Sequence, residues 1–207
     1  MVGTLKVAVL GAPKVGKTAI SRQFLYNDFT ETYSPTGSRD IYRPSVIYSG
    51  NMYDMRIMDV PRLAPRPSAA PGGGICEWSD LKCRGLRNTN AYVLVYDICN
   101  PESFEYMKMI QQQILENRTG GINEAPIIVV GNKRDQQKQR FTPRRPLSAL
   151  VKTSWKCGYV ECSAKYTWHI VLLFKELLSS ALAQGCKHRH SSVRLQGALH
   201  TTRCSLM

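Results

Sequence analysis

No stretch of this 207-residue chain approaches the roughly 20 consecutive apolar residues that cross a bilayer. The longest candidate, Trp168 to Leu178, is interrupted by Lys175 and Glu176 and is spaced like a helix lying on a sheet. The amino terminus, Met1-Val2-Gly3, has neither the regions of a secretory signal nor a glycine at position two for myristoylation, so the expected compartment is the cytosol or nucleus. Acidic residues are scarce, 15 against 28 Lys and Arg, which leaves a formal net charge of +13. The seven cysteines are odd in number and show no paired spacing. That pattern fits reduced thiols better than a disulfide framework, and Cys99, Cys157 and Cys162 are expected to be small packing residues. The basic residues are not interleaved with aromatics as in an RNA-binding module, so nucleic acid is a weak candidate partner.

What is present fits one compact domain and a tail. A 43% hydrophobic content over this length suffices for a single sizeable core. The apolar run Leu5-Lys6-Val7-Ala8-Val9-Leu10 leads into Gly11-Ala12-Pro13-Lys14-Val15-Gly16-Lys17-Thr18, which fits the phosphate-cradling pattern G-x-x-x-x-G-K-[ST] after a strand. Glycines let such a loop turn its backbone N–H groups onto phosphates, Lys17 adds a point charge, and the Thr18 hydroxyl is placed to ligate Mg²⁺. A helix starting near Gly16 would add its positive end. The bland alternative is an ordinary strand-to-helix turn, so a second motif has to decide.

That motif is Asn132-Lys133-Arg134-Asp135, which ends the apolar run Ala125 to Gly131, itself readable as a buried parallel strand. N-K-x-D after such a strand resembles the guanine-reading motif of the small GTPases of the Ras superfamily. In that motif the carboxylate accepts the N1 and 2-amino protons of guanine. Adenine offers no such pair, and a buried acceptor left unpartnered costs about 1–3 kcal/mol per lost bond. Cys162-Ser163-Ala164-Lys165 is similar to the family's last guanine-contacting loop, and Phe29-Thr30-Glu31-Thr32-Tyr33-Ser34-Pro35-Thr36 is similar to its first switch segment. Within the superfamily, phrases such as Leu94-Val95-Tyr96-Asp97-Ile98-Cys99 and Lys156-Cys157-Gly158-Tyr159 resemble the Ras-like family ten group.

The resemblance implies GTP/GDP and Mg²⁺ as cofactors, with nucleotide bound by Gly11, Ala12, Pro13, Lys14, Val15, Gly16, Lys17, Thr18, Ala19, Phe29, Tyr33, Thr36, Asn132, Lys133, Asp135, Ser163, Ala164 and Lys165. Thr18 and Thr36 would ligate the metal and Asp59 would hold its water shell. Phe29 would pack on guanine and Tyr33 would cover the phosphates. Thr36 would meet the metal and the terminal phosphate in the GTP state only. It implies membrane signalling, restraint of growth, a monomer, and unnamed effectors and exchange factors.

After Asp59 the chain departs from the family's D-T-A-G-Q and reads Asp59-Val60-Pro61-Arg62-Leu63. Arg62 replaces the glycine whose N–H meets the γ-phosphate, and Leu63 replaces the glutamine that orients the attacking water. Pro13 and Lys14 replace two usual glycines, and the proline ring crowds the entry of an activator's arginine. Binding with slow, poorly stimulated hydrolysis is the expectation. A non-hydrolysing, GTP-loaded interaction module is the alternative, and Arg62 is a candidate partial substitute for the lost groups if it reaches the phosphates.

Strand and helix patterns alternate along the chain, with strands at 5–10, 45–49, 52–58, 91–97 and 159–162 besides the run before Asn132. Helices are expected at 16–27, from Pro101, from Leu147 and over 168–178. These predict an α/β P-loop small GTPase fold of about six mostly parallel strands and about five helices, with one antiparallel pair turning at Ser49-Gly50-Asn51. Residues 1–183 would form the domain and 184–207 a flexible tail. Pro61 to Ile75 holds four prolines and Gly72-Gly73-Gly74, with little apolar content, and is expected to be mobile. A helix should resume near Glu77-Trp78.

Cys204-Ser205-Leu206-Met207 fits C-a-a-X ending in methionine, which implies farnesylation of Cys204, loss of the last three residues and carboxyl methylation. A chance cysteine at that place is the alternative. One lipid chain binds only marginally, so Lys187, Arg189, Arg194 and Arg203, in a tail with no acid, would add attraction to anionic lipid, and Cys186 is a candidate palmitoylation site. The expected location is the cytoplasmic face of the plasma membrane, with a nuclear or nucleolar pool as the alternative. Between Lys133 and Lys156 eight basic residues stand against Asp135 alone, which reads as a solvated basic face or as a surface for acidic lipid, an acidic partner or RNA.

Overall fold

The computed structural model describes residues 4–62, 89–116 and 125–183, and the backbone of 203–206. In chain order the elements are β1 (Leu5–Gly11), α1 (Lys17–Tyr26), β2 (Asp40–Tyr42), β3 (Ser45–Tyr48), β4 (Asn51–Asp59), β5 (Ala91–Asp97), α2 (Pro101–Glu116) and β6 (Ile127–Asn132). They continue with a 3-10 turn (Arg134–Gln139), α3 (Arg144–Ala149) running into a π turn (Leu150–Ser154), β7 (Gly158–Glu161), α4 (Ile170–Ala183) and β8 (Arg203–Leu206).

The strand order is β7-β6-β5-β1-β4-β3-β8, with β2 also on β4. β1 pairs in parallel with β4 and β5, and β6 joins β5 to β7 in parallel. Consequently Gly11, Asp59, Asp97, Asn132 and Glu161 all end their strands at one edge of the sheet. β2 and β3 are antiparallel to β4 in one continuous register, Tyr42 opposite Ile57 and Ser45 opposite Asp54. Pro44, which has no N–H to donate, separates them, and its carbonyl still accepts from Met55 N–H at 2.8 Å. The expected hairpin turns at Ser49 (φ 49°) and Gly50 (φ 76°).

Two strands exceed the expected six because β2 is set off by Pro44 and because the tail contributes β8. β8 pairs in parallel with the edge strand β3, Cys204 opposite Val46 and Leu206 opposite Tyr48. An edge strand offers free N–H and C=O groups, and here the last residues of the tail, expected to be flexible, occupy them. α4 starts at Ile170 rather than Trp168, because Thr167 (φ 61°) and His169 (φ 58°) are left-handed, and it runs on to Ala183 because Ala181 remains buried. α3 starts at Arg144 rather than Leu147, with Pro146 tolerated in its first turn. The helix near Glu77-Trp78 and most of the Pro61–Ile75 segment lie outside the described residues.

Alternate residues of the strands feed two cores. Val7, Val9, Ile57, Val93 and Val130 face α1 and α4, while Ala8, Leu10, Leu94, Val129 and Tyr159 face α2 and α3. Phe24 of α1 stacks on Phe174 of α4 at 3.7 Å between centroids. On the other side a buried polar chain crosses the core. The Tyr96 and Tyr159 hydroxyls are 2.8 Å apart, Tyr159 donates to Glu161 Oε1, and Arg140 pairs with the same carboxylate at 2.7 Å. Burial pushes the Tyr96 hydroxyl up to about 12, so it stays protonated and can donate. Among the described residues no helix is long and apolar enough to cross a membrane.

Truncating the stacked ring in Phe174→Ala should cost about 3–5 kcal/mol in urea unfolding, since Phe174 is fully buried between two elements.

Candidate functional site

The loop after β1 owes its shape to two glycines. A Cβ on Gly11 would lie 2.2 Å from the Val95 carbonyl oxygen of β5, and Gly16 has φ +92° with its would-be Cβ 2.3 Å from Asn132 Nδ2. α1 begins immediately after Gly16, so its free N–H groups point into the loop. Lys17 folds back beneath it, donating from Nζ to the Gly11 and Ala12 carbonyls, each at 3.0 Å. Burial lowers the Lys17 pKa, opposed by the charge of Asp59.

Thr18, Thr36 and Asp59, far apart in sequence, converge. The Thr18 and Thr36 hydroxyl oxygens are 2.9 Å apart and Thr18 Oγ1 donates a short hydrogen bond to Asp59 Oδ2. Asp59 is fully buried, and its Oδ1 has no hydrogen-bond partner. Burial raises the Asp59 pKa against the pull of the Thr18 hydrogen bond and of Lys17. A buried carboxylate oxygen without a donor, beside two hydroxyls, suits a hard divalent cation that takes oxygen ligands. A buried lysine beside free helical N–H groups suits phosphate.

At the other end Asn132 joins three loops. Its Nδ2 donates to Val15 O at 2.8 Å, and its Oδ1 accepts from Ala164 N–H at 3.2 Å and from the Cys162 thiol at 3.6 Å. Ser163 Oγ donates to Asp135 Oδ1 at 2.6 Å and accepts from Tyr166 N–H at 3.3 Å. Asp135 is thereby aimed by a hydroxyl from the neighbouring loop. Lys133, left-handed at φ 64°, pairs with Asp97 Oδ2 at 2.7 Å. Asp97 escaped the sequence reading, although its place at the end of a buried strand is the available signal.

The segment from Phe29 to Thr36 lies over these loops. Phe29 packs partly buried on the core, Lys14 Nζ sits 5.5 Å from the Tyr33 ring centroid, and Glu31 pairs with Lys165 at 2.6 Å. The Arg62 guanidinium lies over the Tyr106 ring of α2 at 5.8 Å, a contact that competes with any reach to phosphates. Leu63 and Cys186 lie outside the described residues. Cys204 is on β8, and Cys157 and Cys162 are buried thiols outside any disulfide, with Cys99 half-buried. The basic run is less one-sided in space than in sequence: besides Lys133, Arg140 and Arg144 approach the buried Glu161 at 2.7 and 3.8 Å. Only folding brings those acids into reach.

A model of the Ras family matches residues 6–183. Ras-like protein family member 10B of Homo sapiens is 56% identical, and member 10A of Homo sapiens 55%, each over all of both chains. The GTP-binding protein rhb1 of Schizosaccharomyces pombe (strain 972 / ATCC 24843) is 33% identical over 84% of this chain and 85% of its own.

Gly50→Ala meets open space and should cost about 1–2 kcal/mol, from its left-handed backbone alone. Gly16→Ala adds a clash with Asn132 and should cost at least about 1 kcal/mol more. Urea unfolding of the two variants compares them directly.

Proposed function

The chain belongs to the Ras family, and on that premise we propose that it is a membrane-anchored, Mg²⁺-dependent guanine-nucleotide switch that hydrolyses GTP slowly. The observation that carries the binding half is the convergence of Thr18, Thr36 and the unpartnered Asp59 Oδ1 beside Lys17. Lys17 and the α1 N–H groups would hold the phosphates. Asp135, positioned by Ser163, would accept the paired donors of guanine, and the Ala164 N–H is held in place by Asn132. Mg²⁺ held at Thr18 and Thr36, with Asp59 behind its waters, would neutralise charge on the phosphate oxygens. The relative named GTP-binding protein rhb1 supports the nucleotide.

Slow turnover follows from residues 60–63. Val60 is buried in the core under α2, and Arg62 is engaged with Tyr106. Neither supplies a group that orients water, and leucine at 63 has none to offer. A non-hydrolysing module is the second reading, favoured by the same Arg62 contact.

Anchoring rests on the terminal C-a-a-X motif and on the four basic residues of the acid-free tail, each worth about 1 kcal/mol near an anionic leaflet. The proposed location is the cytoplasmic face of the plasma membrane. Processing would remove Ser205 and Leu206, which pair with Ile47 and Tyr48, so the mature chain would leave that half of the β3 edge open.

In single-turnover assays of preloaded GTP, the Leu63→Gln variant should hydrolyse about tenfold faster than the parent chain, which should still turn over measurably. Parent turnover as fast as the variant's would overturn the slow-switch reading, and GTP held intact for hours in the parent would favour the module. Farnesylated protein should pellet with anionic vesicles and the Cys204→Ser chain should remain in solution; equal pelleting of both would count against the anchor.

A further inference from the structure

With β8 set aside, β3 is the edge of the sheet. Its four residues, Ser45-Val46-Ile47-Tyr48, include no charge and no proline, and their register with β4 runs without a bulge. Charge, proline and bulges are the usual devices that keep a sheet edge from recruiting another strand. Here the recruited strand comes from the chain itself. The backbone of Arg203–Leu206 covers all four β3 residues in parallel, and three of its positions are the Cys204-Ser205-Leu206 of the C-a-a-X motif.

The hairpin decides which backbone groups serve this pairing. A two-residue turn at Ser49-Gly50 makes Tyr48 and Asn51 the closing hydrogen-bonded pair, so Tyr48 and Val46 turn their N–H and C=O groups to β4. The Pro44 carbonyl, two residues before Val46, keeps the same alternation by accepting from Met55 N–H. Ile47 lies between the inward positions, turns its N–H and C=O outward, and stands opposite Ser205. The connection from α4 is long enough, since residues 184–202 reach about 60 Å when extended, against a domain about 40 Å across. The pairing is short and parallel and has this loop to close, which makes it a reversible cap.

We infer that the unprocessed C-terminus docks on the β3 edge as a parallel strand and thereby withholds its own prenylation signal. The inference rests on the C-a-a-X reading and concerns its regulation. In prenyl transfer the Cys204 sulfur loses its proton and bonds to C1 of a prenyl diphosphate, whose C–O bond breaks as diphosphate leaves. A transferase must take the terminal residues into its own site, and a backbone already paired with Ser45–Tyr48 is not available to it. Modification therefore draws on the undocked fraction, about one part in ten for a cap of this kind. Once the last three residues are cleaved, only the Arg203 and Cys204 positions are left to pair, too few for a stable strand. Docking thus acts before anchoring and is removed by it.

The first test is amide hydrogen exchange, read residue by residue by NMR, on the unprenylated full chain and on a chain ending at Thr202. The Ile47 amide should exchange about tenfold more slowly in the full chain, while the Val46 and Tyr48 amides, paired with β4, should match in the two. In parallel, initial rates of transfer from farnesyl diphosphate by purified protein farnesyltransferase are compared for the full chain, for Ile47→Pro and for a free peptide of residues 198–207. Ile47→Pro removes the outward N–H and spares the ladder to β4, so it should accept the farnesyl group about tenfold faster than the parent and close to the rate of the peptide. Equal rates for the parent and a folded Ile47→Pro chain would overturn the inference, as would Ile47 exchange unchanged by the truncation. If Ile47→Pro fails to fold, which its Val46 and Tyr48 amides reveal, the truncation alone decides. A peptide that accepts no farnesyl group would overturn the C-a-a-X reading instead, and the exchange comparison still decides the docking.

Discussion

One carboxamide holds the two ends of the site together. Asn132, buried at the end of β6, donates to the carbonyl of Val15 in the phosphate loop and accepts from the backbone of Ala164 in the loop that flanks the base. These three segments leave three different strands; main-chain hydrogen bonds tie the tips of β6 and β7, Arg134 N–H to the Cys162 carbonyl and Cys162 N–H to that of Gly131, and the amide joins the phosphate loop to them. An amide can do this because it carries donors and acceptors on a rigid plane. A carboxylate would repel the Val15 carbonyl, and an apolar residue would leave it and the Ala164 N–H unsatisfied in a buried place. The glycine at 16 follows from the same packing, since the amide nitrogen stands where a side chain would go.

Around that clamp the chain keeps charges that its own groups satisfy incompletely. Lys17 and Asp59 are both buried and both shifted toward neutrality, and Asp59 retains an oxygen without a donor. Such a site is costly alone and is completed by ligands of opposite sign, an anion at Lys17 and a cation at Asp59. Elsewhere the buried Glu161 is fully engaged by Arg140, Arg144 and Tyr159. The contrast between a closed ion cluster and an open one marks where binding belongs.

Much of this was legible in the sequence because local rules governed it. The continuous apolar runs of β1, β5 and β6 are what a parallel sheet covered on both faces requires, and the two glycines with Lys17 and Thr18 mark the loop between β1 and α1. The Ser49-Gly50 turn is likewise a local conformational demand. Asp97, Glu161, Glu31 and Tyr106 were not legible, since each acquires its meaning from a partner brought near by the fold: Lys133, Arg140, Lys165 and Arg62 respectively. The interruption at Pro44 and the pairing of β8 with β3 were missed for the same reason, because edge pairing depends on which strand is left uncovered. The basic run from Lys133 to Lys156 shows the converse error. Charge counted along the chain exaggerates a surface field when acids from β5 and β7 lie beside it.

The most direct measurement is the equilibrium dissociation constant of Mg²⁺–GDP for the parent chain and for Asn132→Ala, each first shown to be folded. If the amide is the common support of the phosphate and base ends, loss of its three hydrogen bonds, at about 1 kcal/mol each, should weaken binding by roughly 10²-fold. Binding unchanged within about twofold would contradict the account, because the two ends of the site would then be held in place without it.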